Sequence, residues 1–322
     1  MGVVERLKKI VVEGGSISKE EAVYLYGSPL DELRLAANNL RTRFCGNSFD
    51  LCTIINGKSG SCSEDCKYCA QSVRYCTDIH EYPLMEAGTV LKEAVYNEIR
   101  GILRFSIVTS GRNLNDREVE MVTEIYSTLC KNCGMSLCAS HGLLTFEQLK
   151  KLKASGVSRY HNNLETSSRY FPEVCTTHSY EDKIRTIKDA LKAGLDVCSG
   201  GIMGLGEGVE DRIDMAIELR NLGIRSVPIN LLNPIKGTPT EAFPPITAEE
   251  AERIVATFRF ILPDASIRMA GGRSLLRDNG KSLFLSGANA AITGDMLTTS
   301  GTGISEDIEM LNGLGFEVRR HE

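Results

Sequence analysis

The chain of 322 residues carries 37 Lys and Arg against 42 Asp and Glu, a net charge of -5 with the two signs interspersed. That pattern argues against a nucleic-acid surface, which needs a clustered basic face, and no apolar run approaches the length of a membrane span. Eleven cysteines with no secretory signal point to a reducing, cytoplasmic setting in which thiols bind metal or stay free, and partners are expected to be small molecules.

In chain order, residues 1–47 read as a helical flank or lid, an N-terminal helical extension. An apolar stripe runs through Val4, Leu7, Ile10 and Val11, Ser18 and Glu21 form a capping box, and PLDELRLAANNLRTRF follows. From residue 48 to 322 the chain reads as one large domain. LCTIING (51–57) is a first strand, and the signals then alternate. RFSIVTSG (104–111) precedes a helix over 116–129, GMSLCAS (134–140) a helix over 145–154, and VSRYHNNLETS (157–167) a helix near 180–193. LDVCSGGIMGLGE (195–207) precedes a helix near 210–222, and SVPINLLNPIKGTP (226–239) one near 247–262. ASIRMAGGR (265–273) leads into a helix across the 270s and 280s, ANAAITG (288–294) into a last one near 305–314. Eight strands alternating with helices predict an α/β fold, a (β/α)8 TIM-type barrel.

Such barrels carry their chemistry at the C-terminal ends of the strands. The polar residues expected there are Ser106, Arg112, Cys138, His141, His161, Asn163, Glu165, Cys198, Asn230, Arg268 and Arg273. Cysteine or arginine inside an apolar strand is informative, because a buried charge is costly unless paired or bound. The loop after the first strand holds SCSEDCKYCAQS, in which Cys62, Cys66 and Cys69 form C-x3-C-x2-C. Four irons bound by three thiolates leave one iron open for chemistry. The rival reading is a closed zinc site completed by Cys76.

The cysteine motif, with Tyr68 directly before its third cysteine, resembles the radical S-adenosylmethionine (SAM) enzymes. With YHNNLETS, VCSGGIMGLGE, SVPIN, IKGTP and IRMAGGR in this order, the chain is similar to the biotin synthase family from about Asn47 onward. The resemblance implies a 4Fe-4S cluster on Cys62, Cys66 and Cys69, with SAM chelating the open iron and its reductive cleavage releasing a 5'-deoxyadenosyl radical. The substrate implied is dethiobiotin, into which sulfur is inserted to form biotin. Tyr68 would reach the adenine, Gly200 and Gly201 would let the backbone approach SAM, and Glu165 would contact SAM or its ribose. Asn163 and Asn230 would bond to substrate and nucleoside. Lys183 stands where the family often has a SAM-contacting arginine, and His161 with Asn162 where it more often has Asn-His. Tight turns for the glycines and satisfied strand ends for the asparagines are the structural alternatives. The family also implies a homodimer and an electron donor such as flavodoxin or ferredoxin. A related radical SAM maturase or mutase, or a non-catalytic iron–sulfur protein, are the competing functions.

In the well-known form of the family, three strand cysteines and an arginine hold an auxiliary two-iron cluster, the sulfur donor. Cys138, Cys198 and Arg268 match three of those positions, but Ser106 stands at the fourth, and its oxygen is a weaker ligand for such iron than a thiolate. Cys130 and Cys133, a C-x2-C before the third strand, are the expected replacements, giving a four-iron auxiliary cluster. Against this, a regular strand would put Cys133 and Cys138 about 16 Å apart unless GMS folds back. Cys45, Cys52, Cys76 and Cys175 read as buried or spare thiols, and His141 and His178 as hydrogen-bonded bystanders.

Overall fold

A computed structural model of the chain describes residues 2–299 and 301–320. The strands are β1 (Ser48–Lys58), β2 (Arg104–Thr109), β3 (Ser136–Ser140), β4 (Val157–His161), β5 (Asp196–Cys198), β6 (Gly201–Met203), β7 (Ser226–Leu231), β8 (Ser266–Met269), β9 (Ala290–Ile292) and β10 (Glu317–Val318). All pair in parallel, in chain order, and β9 returns to β1, so the sheet closes. β5 and β6 both pair with β7 and are two halves of one interrupted strand. The ring therefore has the eight strands of a (β/α)8 barrel. β10, which the sequence pattern did not reveal, adds to the start of β1 outside the ring.

The helices are α1 (Val3–Val12), α2 (Lys19–Tyr26), α3 (Leu30–Cys45), α4 (Ala87–Ile99), α5 (Asp116–Asn132), α6 (Phe146–Ala154), α7 (Phe171–Val174), α8 (Tyr180–Lys192), α9 (Val209–Asn221), α10 (Ala248–Ile261), α11 (Lys281–Leu285) and α12 (Ile304–Gly313). α4 went unread because its apolar face is thin, with only Val90, Ala94 and Asn97 buried. The single helix expected across the 270s and 280s is instead a 3-10 turn, Arg273–Leu275, and the short α11. Between them Asn279 (φ 52°) and Gly280 (φ 82°) take left-handed conformations, which no continuous helix accommodates.

The three N-terminal helices brace the barrel from outside. α1 buries Val4, Leu7 and Val11, and the expected capping box starts α2, with Glu21 N donating to Ser18 Oγ at 3.2 Å and Ser18 N to Glu21 Oε2 at 3.0 Å. α2 packs on α9 and α10, and α3 on α10.

Alternation along the strands separates two environments. Leu51, Phe105, Ile107, Leu137, Tyr160, Val197, Val227, Ile229 and Ile267 are buried against the helices. Their neighbours on the other face, among them Cys52, Arg104, Cys138, Arg159, Cys198 and Arg268, line the inside.

Candidate active site

β1 runs into the cysteine loop through Gly60 (φ 78°) and Ser61 (φ 54°). Backbone bonds pin the loop: Cys62 N donates to Gln71 O at 3.1 Å, Val73 N to Cys62 O at 2.9 Å and Cys69 N to Cys66 O at 3.0 Å. Gln71 Oε1 accepts from Gly60 N at 2.5 Å, and Ser72 Oγ donates to Glu64 O at 2.5 Å. Burial pushes the Cys62 thiol up and Cys69 up to about 11, while Cys66 rises first through a hydrogen bond with Cys175 and then through burial. Thiols of this kind ionise when a metal neutralises them, and three soft donors on one short loop fit an iron–sulfur cluster. Cys76, the fourth ligand of the zinc alternative, is exposed instead.

Tyr68 and Cys69 face a cavity of about 380 Å³ that fills the barrel mouth. Across it stands a hydrogen-bonded ladder on the chain leaving β4. His161 Nδ1 meets Ser140 Oγ at 3.0 Å and His161 Nε2 meets Asn163 Oδ1 at 2.9 Å, while Asn163 Nδ2 donates to Glu165 Oε2 at 3.3 Å. Burial holds His161 neutral, down to about 4. It also raises Glu165, against the nearby Lys183 charge and hydrogen bonds from Tyr68 and Asn163. Glu165 sits at φ 69°, a strained conformation for a residue with a side chain, which turns its carboxylate into the site. Both ends of the Asn230 amide are engaged, Nδ2 donating to Gly201 O at 3.2 Å and Oδ1 accepting from Gly271 N at 2.9 Å.

The two glycines serve the turn. A Cβ on Gly200 would stand 1.9 Å from Pro228 O, and one on Gly201 2.3 Å from Glu165 O. They let the interrupted strand fit between β4 and β7, and neither lines the cavity.

Deeper in the barrel lies a second thiol set. Ser106 is the register partner of Cys138, as the family pattern anticipates for its fourth ligand position. The thiol that joins Cys138 and Cys198 is Cys52 of β1, which sequence reading set aside as spare. Cys52 and Cys138 share a hydrogen bond that raises the first and lowers the second, to about 7, helped by the Arg159, Arg104 and Arg268 guanidinium groups. Ser226 Oγ donates to Cys198 Sγ at 3.3 Å. Asp50 anchors two of the arginines, Arg104 Nε and Arg268 Nη2 each at 2.8 Å. Arg159 Nε, buried, has no hydrogen-bond partner among the described residues. Three soft donors, cationic neighbours and an orphaned donor together fit a second anionic iron–sulfur group.

Cys130 and Cys133 are not brought to this set. Cys133 ends α5 with its Sγ against Leu129 O at 3.2 Å, and Cys130 is exposed on the last turn. The strand register from Arg104–Ser136 to Ser106–Cys138 is unbroken, so the chain does not fold back at GMS. Arg273 also leaves the site, its guanidinium paired to Asp307 at 2.5 and 2.8 Å in a buried ion pair. His141 is a bystander between Thr109 Oγ1 and Tyr126 OH, both at 3.0 Å. Arg112, half exposed, donates to Thr177 O at 2.5 Å beside Glu64.

Two family models match the chain, that of the radical SAM superfamily over residues 58–219 and that of the biotin and thiamin synthesis associated domain over 228–317. A biotin synthase of Akkermansia muciniphila is 58% identical over 319 residues, covering 99% of both chains. One from Clostridium botulinum is 55% identical, covering 99% of this chain and 100% of the relative. The chain belongs to the biotin synthase family. Among solved structures, methylornithine synthase superposes with a TM-score of 0.85 at 19% identity, covering 98% of each chain, and shares the fold. Biotin synthase 2 of Corynebacterium diphtheriae is 49% identical over 99% of this chain and 97% of its own. The first family model takes in the cysteine loop, Glu165 and Cys198, and the second Asn230 and Arg268, so the site is built from both.

Proposed function

We propose that this chain, as a biotin synthase, inserts sulfur into dethiobiotin with two iron–sulfur groups facing one cavity, the auxiliary one of four-iron type. The observation that carries the reading is the pair of thiol sets, Cys62, Cys66 and Cys69 on the loop and Cys52, Cys138 and Cys198 inside the barrel, on either side of the space lined by Tyr68, Asn163 and Glu165. When bound, the loop cluster with SAM supplies a carbon radical able to take hydrogen from an unactivated C–H bond, and the auxiliary cluster supplies sulfur. The protein's part is placement. Tyr68 offers an aromatic face and Glu165 a carboxylate to the nucleoside, while Lys183 compensates charge near the loop thiols. His161, Asn163 and Asn230 hold polar groups toward the substrate. The barrel wall keeps water from a radical. Arg268 and Arg104 stand beside the inner thiols as cationic neighbours, with Arg268 near enough to ligate if Asp50 releases it.

The flank 1–47 supports the barrel without entering the site. Free thiols throughout the described residues suit a reducing cytoplasm, a flavodoxin- or ferredoxin-like protein suits the one-electron step, and the family suggests a homodimer. Among the described residues no helix is long and apolar enough to cross a membrane. The test is anaerobic reconstitution with iron and sulfide counts, then incubation with SAM, reductant and dethiobiotin. About eight irons per chain with biotin formed is expected, about six would refute the four-iron auxiliary group, and SAM cleavage without biotin would refute the activity.

A further inference from the structure

Cys175 and His178 have no part in the function described above, yet the fold delivers both to the cysteine loop. The turn after α7 is tied down by Asp65, whose Oδ1 accepts from Thr176 N at 2.8 Å and Thr177 N at 3.1 Å, and Lys67 N donates to Val174 O at 3.0 Å. In consequence Cys175 Sγ lies 3.7 Å from Cys66 Sγ and 3.2 Å from His178 Nδ1. His178 Nδ1 in turn lies 2.6 Å from Glu64 Oε2.

The donor atoms of Cys66, Cys175 and His178 all fall within 4.8 Å of one another. Around a tetrahedral ion with metal–sulfur bonds of about 2.3 Å, two thiolates stand roughly 3.8 Å apart. The observed 3.7 Å is that edge. It is not the arrangement for a further ligand of the cube, whose cysteines hold separate irons and point apart. Sulfur, sulfur and imidazole nitrogen, with a carboxylate oxygen at hand, make a donor set for zinc or ferrous ion.

We propose that the cluster-free chain binds one divalent transition-metal ion through Cys66, Cys175 and His178, with the Glu64 and Asp65 carboxylates beside them, and that this ion and the four-iron cluster exclude each other. The exclusion rests on the reading of Cys66 as a cluster ligand; the binding does not. Binding displaces the protons still held by the two thiols and leaves every oxidation state unchanged. The ion is either ferrous iron held for cluster assembly or zinc that blocks it.

Cobalt(II) titration of the full-length, cluster-free chain tests the site. One equivalent with thiolate-to-cobalt charge-transfer absorption is expected. Loss of an outer partner alone costs metal sites about 10–100-fold in affinity, so Cys175→Ala and His178→Gln should each weaken binding by at least that, whereas Cys62→Ala should leave it unchanged. Circular dichroism and melting identify any variant that fails to fold, and His178→Gln, which keeps a polar side chain of similar reach, stands in if Cys175→Ala does. Undiminished binding in a folded variant, or equal loss in Cys62→Ala, overturns the site. Zinc-loaded wild type should assemble its four-iron cluster at least tenfold more slowly than Cys175→Ala treated alike, and equal rates overturn the exclusion. Labelled ferrous iron that enters the cluster on addition of sulfide marks a loading site, and iron that is shed marks a blocking one.

Discussion

Cys52 and Ser106 lie on the adjacent strands β1 and β2, and Cys52, not Ser106, supplies the third thiol beside Cys138 and Cys198. In β1 the side chains of Asp50, Cys52 and Ile54 share one face by the period of two, so the inward thiol was readable in principle. A lone cysteine in a short apolar strand is usually a small buried hydrophobe, so strand position alone does not mark this thiol as a ligand. Cys52→Ala is expected to remove the auxiliary group, lowering iron by about four per chain and abolishing biotin formation while SAM cleavage persists; Ser106→Ala should keep both counts. His141 makes a separate prediction. Burial lowers it from 6.5 to about 3, so the unfolded chain takes up a proton that the folded chain refuses. Its contribution is complete above pH 6.5 and is lost as pH falls toward 3. His141→Gln should shrink the drop in melting temperature between about pH 7 and pH 5.

At the scale of elements, the break between β5 and β6 organises the site. It lets Gly200 N donate to Asn163 Oδ1 at 3.1 Å and brings Glu165 into a bridge with Gly201, so the ladder from His161 to Glu165 depends on two residues without side chains. Gly200→Ala must move Pro228 and should lower unfolding free energy by about 1–3 kcal/mol or more, read as a shift in denaturant midpoint with unchanged slope. The glycines were visible in the sequence, but their partner was not, since Pro228 lies on another strand. The end of α5 taught the opposite lesson. Cys130 and Cys133 have the spacing of a metal knuckle, yet the regular pairing of β3 with β2 keeps them outside the barrel.

For the whole molecule, the inner face concentrates charge. Arg104 and Arg268 share one buried carboxylate, Asp50, and Arg159 stands beside the same thiols with its nearest carboxylate, Asp196, at 4.0 Å on the exposed start of β5. An anionic cluster relieves that excess, and binding to the folded state alone stabilises it. Stripping iron with a chelator should therefore lower the melting temperature by about 5 °C or more, and Cys52→Ala should melt like the stripped protein with respect to the inner site.

The barrel, the cysteine loop and the family were within reach of the sequence alone, because strand period, helix alternation and three cysteines within eight residues are local patterns. Tertiary structure decided which distant thiols meet. Cys52 reaches Cys138 by closure of β1 onto β2 and the ring beyond it, and Cys175 reaches Cys66 because Asp65 ties the turn after α7 to the cysteine loop. Contacts between residues far apart in the chain depend on register and packing, and no spacing along the sequence encodes them.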